Sequence, residues 1–126
     1  MPYTYDDQNI FAKILRGEIP NSTVRETDHT LAFRDIAPQA PEHVLVIPKG
    51  AYVTADQFAT EASAEEIVDF WRTFGDIARE LGVAADTGNG YRLIANSGKD
   101  GVQDVPHFHM HILAGRPLGP MLTRRD

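Results

Sequence analysis

Pro106-His107-Phe108-His109-Met110-His111-Ile112-Leu113 is the stretch whose reading decides the fold. Three of the chain's five histidines lie in it, each followed by an apolar residue. Side chains of a strand point to opposite faces with a period of two, so this alternation is a strand pattern. It predicts three imidazoles on one face and Phe108, Met110 and Ile112 on the other. Successive histidines then lie about 6.6 Å apart along the strand, and the outer pair about 13 Å apart.

Three chemistries fit such a ladder. The first is a polar, solvated face of an edge strand. The second is a metal site. Zinc takes ligand nitrogens about 2.0–2.1 Å from the ion, and two histidines at i and i+2 can converge on such a point. A third at i+4 starts too far away, so zinc would need two of the three plus His43 or a carboxylate. The third is nucleophilic catalysis by a histidine, with the others orienting it and binding an anion.

Composition narrows the setting. The chain has 126 residues, no cysteine, a hydrophobic share of 42% and a formal charge of −6. That length without an internal repeat predicts a single domain over residues 1–126. The negative charge argues against nucleic acid as a partner, which requires a basic surface. No apolar run is long enough for a bilayer, so no membrane partner is expected. The polar, acidic start does not read as a signal peptide. A cytoplasmic protein is the expectation.

Outward from the histidines, the local signals are of unequal strength. Ile10, Phe11, Ile14 and Leu15 fall at helical spacing behind Asp7 and Asn9, and Gly17 and Pro20 close the element. A short helix is expected over about residues 8–16. Residues 23–26 and 31–34 read as a hairpin, with a turn over Thr27-Asp28-His29-Thr30. His43-Val44-Leu45-Val46-Ile47-Pro48 is nearly all apolar, as in a strand buried on both faces. Residues 51–60 give only a loop or a broken helix. Ser63-Ala64-Glu65-Glu66 is a capping box, and Ile67, Phe70, Trp71, Phe74, Ile77, Ala78 and Leu81 trace one stripe of a long helix over residues 64–81. Residues 91–96 read as a strand. The loop from Ser97 to Gln103 carries Gly98 and Gly101, whose free amides can face an anion. The order predicts an α+β fold: a mainly antiparallel sheet of about five strands, with a short N-terminal helix and one long helix on one face. The histidines then emerge on the opposite, open face.

The run His107-Phe108-His109-Met110-His111-Ile112-Leu113 resembles the signature of the histidine triad (HIT) family of nucleotide hydrolases and transferases. Asn9-Ile10-Phe11-Ala12-Lys13-Ile14, the run from Leu31 to Pro41, His43 to Lys49, and Gly115-Arg116-Pro117 are similar to its Hint branch. The resemblance covers nearly the whole chain and is poorest over residues 51–86. It implies a HIT-like fold, a homodimer whose sheet continues across the pair, and purine nucleotides (AMP or GMP conjugates) as ligands. It implies a phosphoramidase-like nucleotide hydrolase. His109 would attack the α-phosphorus of a purine nucleoside monophosphate conjugate, and a nucleotidyl-histidine would form. His107 would orient it, His111 would donate to the phosphate or leaving group, and His43 would stand behind. By the same resemblance Asp35 would hold the ribose, and Ile10, Phe11, Ile14, Phe33 and Ile36 the purine. Asn96, Gly98 and Gln103 would lie on the phosphate side. Asp104 departs from the pattern: well-known Hint members carry a serine there, and a carboxylate repels an anion. No cofactor is required in this reading; the histidines can take zinc, but in no catalytic role. The alternative is a nucleotide-binding regulatory or interaction module with little turnover.

Overall fold

The computed structural model describes residues 3–123. Eight elements follow in order: α1 (Ile10–Leu15), β1 (Thr23–Glu26), β2 (Thr30–Arg34), β3 (Glu42–Pro48), α2 (Ala55–Glu61), α3 (Ala64–Glu80), β4 (Arg92–Ile94) and β5 (Met110–Ala114). The strands form one five-stranded sheet in the order β1-β2-β3-β5-β4. Every neighbouring pair is antiparallel. The fold is therefore α+β, as the element order predicts.

Strand β3 lies at the centre and is buried along its length apart from Glu42. Its alternate side chains feed two different cores. Val44 and Val46 join Ala32, Met110 and Ile112 under Phe58, Phe70 and Ile77 of α2 and α3. Leu45 and Ile47 join Leu31 and Phe33 under Phe11 and Ile14 of α1. Both faces of the central strands are apolar, so both need a cover. This corrects the expectation of helices on a single face: α1 packs on the face that carries the histidines. The stabilisation is concentrated where the rings are largest. Phe70 is almost wholly buried, and withdrawing a side chain of this kind from water is worth about 1.5–3 kcal/mol.

Helix boundaries follow local chemistry. The Asn9 side chain accepts from Ala12 N and starts α1. Ser63 and Glu66 form the reciprocal capping box that starts α3. After α3, Gly82 takes φ +72°, a left-handed conformation that glycine adopts without a Cβ clash. The helix α2 was not legible as a helix. Thr54 caps it by accepting from Gln57 N, and Phe58 anchors it, its ring centroid 5.2 Å from those of Phe70 and Phe108.

A second correction falls on the decisive stretch. The ladder of β5 begins only at Met110, paired with Val46. Pro106 has no amide proton to give, His107 N donates to Val105 O (2.8 Å), and Phe108 N donates to Tyr52 O (2.7 Å). Residues 107–109 thus run ahead of the ladder. Their faces still alternate, since Phe108 enters the α3-side core with Met110 and Ile112. Strand β4 is likewise shorter than expected, spanning Arg92–Ile94 rather than residues 91–96.

Candidate active site

The register of β3 and β5 assembles the histidines. His43 pairs with Leu113 and Leu45 with His111, so His43 and His111 are diagonal neighbours on one face, within reach of each other. Their nitrogens meet at 2.8 Å (Nε2 of His43, Nδ1 of His111). His109 lies beside His111, with ring centroids 5.1 Å apart. The edge of Phe11 stands against the His109 ring at 4.9 Å.

Hydrogen bonds assign each tautomer. A neutral imidazole has one donor and one acceptor nitrogen, and each bond fixes which is which. Gln39 N donates to Nδ1 of His43 (3.1 Å), so the proton of His43 sits on Nε2 and points at Nδ1 of His111. The proton of His111 is therefore on its Nε2, facing outward. Nε2 of His107 donates to Pro48 O (2.8 Å), because a carbonyl only accepts. Nδ1 of His107 then accepts from the Tyr5 hydroxyl (2.6 Å). Nδ1 of His109 donates to His107 O (2.7 Å). In the neutral ring this puts the lone pair of His109 on Nε2, the atom a nucleophile would use.

Burial fixes the charge state. His43, His107 and His109 are buried, and only His111 is part exposed. The open histidine face that the alternation predicts is thus covered, by α1 and by Tyr5. Desolvation pushes His107 down to about 4; the Pro48 carbonyl opposes this, and a charge on His109 adds to it. Desolvation, followed by repulsion from His109 and His43, also lowers His111 to about 4, against the pull of Asp35 and Asp104. Burial lowers His43 too, partly offset by Asp35. These three imidazoles are neutral at pH 7.

The remaining predicted residues distribute unevenly. Asp35 Oδ1 accepts from Ala37 N (2.8 Å), closing its own turn. Its Oδ2 lies 3.5 Å from Nε2 of His43, so it is brought to the cluster. Phe11, Ile14 and Phe33 share one apolar cluster, whereas Ile10 is 42% exposed and lies outside it. Ile36 is 96% exposed and lies outside this cluster, because the loop after Asp35 carries it outward. Gln103 makes three side-chain bonds within the protein. Its Nε2 donates to Val53 O (2.7 Å) and Val105 O (3.0 Å), and its Oε1 accepts from Gly98 N (3.0 Å). It clamps the loop of residues 97–103, where a Cβ on Gly101 would sit 2.6 Å from Ser97 O. Asn96 is half-buried on the strand side of this loop. Asp104, with its side chain 80% exposed, places Oδ1 3.5 Å from Nε2 of His109.

Tyr5 is the contact the sequence did not reveal, since nothing local ties residue 5 to residue 107. A metal remains compatible with one corner of the cluster. Asp35, His43 and His111 each offer a ligand atom, all within 4.8 Å of one another. Binding there would cost the His43–His111 hydrogen bond, because a ligating nitrogen needs the lone pair that His43 Nε2 has given up to a proton. A cleft of about 630 Å³ lined by Glu42, Leu81, Val83, Gly115 and Arg116 touches none of these residues.

Comparison with known proteins agrees with this geometry. The family model described as HIT domain matches residues 16–118, and the chain belongs to the HIT family. A purine nucleoside phosphoramidase from Escherichia coli (strain K12) is 44% identical over 119 residues, covering 94% of this chain and 97% of that protein. An uncharacterized HIT-like protein from Azospirillum brasilense is 55% identical over 124 residues, covering 98% and 99%. The solved structure of a histidine triad protein from Clostridium difficile superposes with a TM-score of 0.81 at 38% identity, covering 94% of this chain and all of that one. At family level these likenesses support nucleotide hydrolase activity. Among the described residues no helix is long and apolar enough to cross a membrane.

Proposed function

We propose that this protein is a single-domain cytoplasmic nucleotide hydrolase that cleaves purine nucleoside 5′-phosphoramidates and related conjugates through a nucleotidyl-histidine. The observation that carries this reading is the bond from Nδ1 of His109 to His107 O, at 2.7 Å. It aims an unprotonated Nε2 out of the cluster. That nitrogen attacks the α-phosphorus; the Nε2–P bond forms as the bond to the leaving group breaks, and the departing amine takes a proton from solvent. Nε2–H of His111 donates to the phosphoryl oxygen or leaving nitrogen, where charge develops. Water then attacks phosphorus, the Nε2–P bond breaks, and the proton returns to solvent. Asp35 accepts from the ribose hydroxyls, Phe11 and Phe33 back the base, and no metal is needed. The phosphoramidase identity of the Escherichia coli relative supports this choice of substrate.

The test is rapid-quench mass spectrometry with adenosine 5′-phosphoramidate. A nucleotidyl adduct mapped to His109, absent in His109→Ala, is the expected result. An adduct on another residue, or activity that a chelator abolishes and zinc restores, would overturn the mechanism. One observation favours a second reading, a nucleotide-binding module with little turnover: the Asp104 carboxylate lies across Nε2 of His109 at 3.5 Å, where it opposes an anionic phosphate. Stable nucleotide binding with no released product would favour it.

The proposal includes a homodimer. Val68, Trp71 and Tyr91 are large apolar side chains left exposed on α3 and beside the edge strand β4. A face of this kind together with an unpaired strand edge is the surface a second copy of the chain covers.

A further inference from the structure

We infer that Tyr5 is a positioning residue for the nucleophile: its hydroxyl holds the His107 ring, and through His107 it holds in place the carbonyl that accepts from Nδ1 of His109. The inference rests on the reading of His109 as nucleophile. Its physical basis is the order of the bonds. Nε2 of His107 is spent on Pro48 O at 2.8 Å. The ring is wholly buried, so its Nδ1 lone pair needs a donor from the protein. Tyr5 supplies it at 2.6 Å, with the two rings edge-on at 5.6 Å. A phenol is suited to this, because burial raises Tyr5 above its ordinary range and keeps the proton on oxygen. The next link is covalent: the carbonyl of the same His107 accepts from Nδ1 of His109 at 2.7 Å. A ring held by two bonds at opposite nitrogens cannot turn, and the carbonyl one step along the chain stays where His109 needs it.

The segment that carries Tyr5 is fastened at both ends. Downstream, Asn9 Nδ2 donates to Asp6 O (2.7 Å) while its Oδ1 caps α1, and Arg16 Nη1 donates to Asp7 O (2.7 Å). Upstream, the Tyr3 hydroxyl donates to the Asp56 carboxylate on α2. The segment is thus a strap across the histidine face. Tyr3 anchors it without touching the cluster, and Tyr5 is its contact with the cluster. That separation provides the control.

Three variants test the inference: Tyr5→Phe, which keeps the ring and removes the donor; Tyr3→Phe, which loosens the strap alone; and His109→Ala as the null. Two readouts are used. Long-range imidazole ¹⁵N spectra report the hydrogen bonding and order of the His107 and His109 rings without any turnover. Single-turnover adduct formation with adenosine 5′-phosphoramidate reports the nucleophile. Loss of one hydrogen bond to a buried ring predicts a roughly tenfold slower adduct formation in Tyr5→Phe, with nucleotide affinity unchanged. The same variant should shift and broaden the His107 and His109 ring resonances, and Tyr3→Phe should leave both readouts near wild type. Wild-type ring spectra and a rate within about twofold in Tyr5→Phe would overturn the inference. Equal losses in Tyr3→Phe and Tyr5→Phe would also overturn it, by reducing Tyr5 to a strap residue. If wild type forms no adduct, the hydrolase reading fails by itself, and the ¹⁵N spectra still decide whether Tyr5 holds the two rings in place.

Discussion

Lowering the pH from 7 to 5 should destabilise the fold by about 2 kcal/mol through His107 alone, and the sign follows from where its proton can go. Unfolded, a histidine titrates near 6.5; in the folded protein burial holds His107 down to about 4. Above 6.5 both states are neutral and the group contributes nothing. As pH falls through 6.5, the unfolded chain takes up a proton that the folded one refuses, so stability is lost. The full loss is roughly 3 kcal/mol, reached near pH 4, with about 2 kcal/mol of it already present at pH 5. His111, lowered similarly but part exposed, adds a smaller share of the same sign. The carboxylates Glu66 and Asp69 lie below their ordinary range; their contribution is lost chiefly below pH 5, which keeps this window clean.

The assay is urea unfolding at pH 7, 6 and 5 at one fixed protein concentration, because the stability of the proposed dimer would depend on concentration. His107→Asn is the comparison, and only its pH dependence matters, not its stability at pH 7. It should flatten the curve by about 2 kcal/mol between pH 7 and 5. Against a total of about 5–15 kcal/mol for an ordinary domain, that is easily measured. A His107→Asn protein that keeps the wild-type slope would refute the argument, since it would mean that His107 gains its proton without unfolding.

Other expectations follow from single contacts. Asp35→Ala should weaken ribonucleotide binding by about 1.5–3 kcal/mol, the worth of a charged hydrogen bond; isothermal titration with the 2′-deoxy analogue should give a smaller loss, and equal losses would contradict a ribose role. Asp104→Ser should retain much of the turnover, because the exposed carboxylate lies 3.5 Å from Nε2 of His109 and holds no other bond there; a fall as deep as that of His109→Ala would make it essential. Sedimentation at micromolar concentration should give a dimeric mass, and Trp71→Glu should lower it towards that of one chain; a monomeric wild type would remove the case for the apolar face of α3.

The parts of the fold that were legible were those with local causes. The capping box at Ser63 and Glu66 marked the start of α3 to the residue, and the apolar run of β3 gave its two-sided burial. What resisted reading was held by contacts distant in sequence. The helix α2 has only Phe58 as a large buried apolar residue, and its partners, Phe70 and Phe108, come from two other segments. The ladder of β5 loses residues 107–109 because Phe108 N is taken by Tyr52 O, a bond that no periodicity encodes. At the site, alternation gave three histidines on one face, but their cover came from α1 and Tyr5. Ile36 matched an apolar slot by resemblance, yet the loop exposes it almost completely. Gln103, matched to the phosphate side by resemblance, also clamps its own loop through both ends of its amide, bonds that no local pattern encodes.

The arrangement of the four imidazoles makes the direction of the chemistry specific. Burial decreases along the row: His107 is sealed, His109 is buried with one free nitrogen, and His111 is part exposed. Hydrogen bonding has a direction as well. Gln39 N–H drives the proton of His43 toward His111, so His111 presents N–H outward. The His107 carbonyl draws the proton of His109 inward, so His109 presents a lone pair. A lone pair and a donor therefore stand side by side, on rings 5.1 Å apart, at the only end of the row that reaches solvent. A ligand that meets both must accept a nucleophile at one atom and a hydrogen bond at the next, as phosphorus and its oxygen or departing nitrogen do. Exchanging the two tautomers would leave every side chain in place and remove the proposed chemistry, so the backbone groups of Gln39 and His107 bear on the proposed reaction as directly as the imidazoles they address.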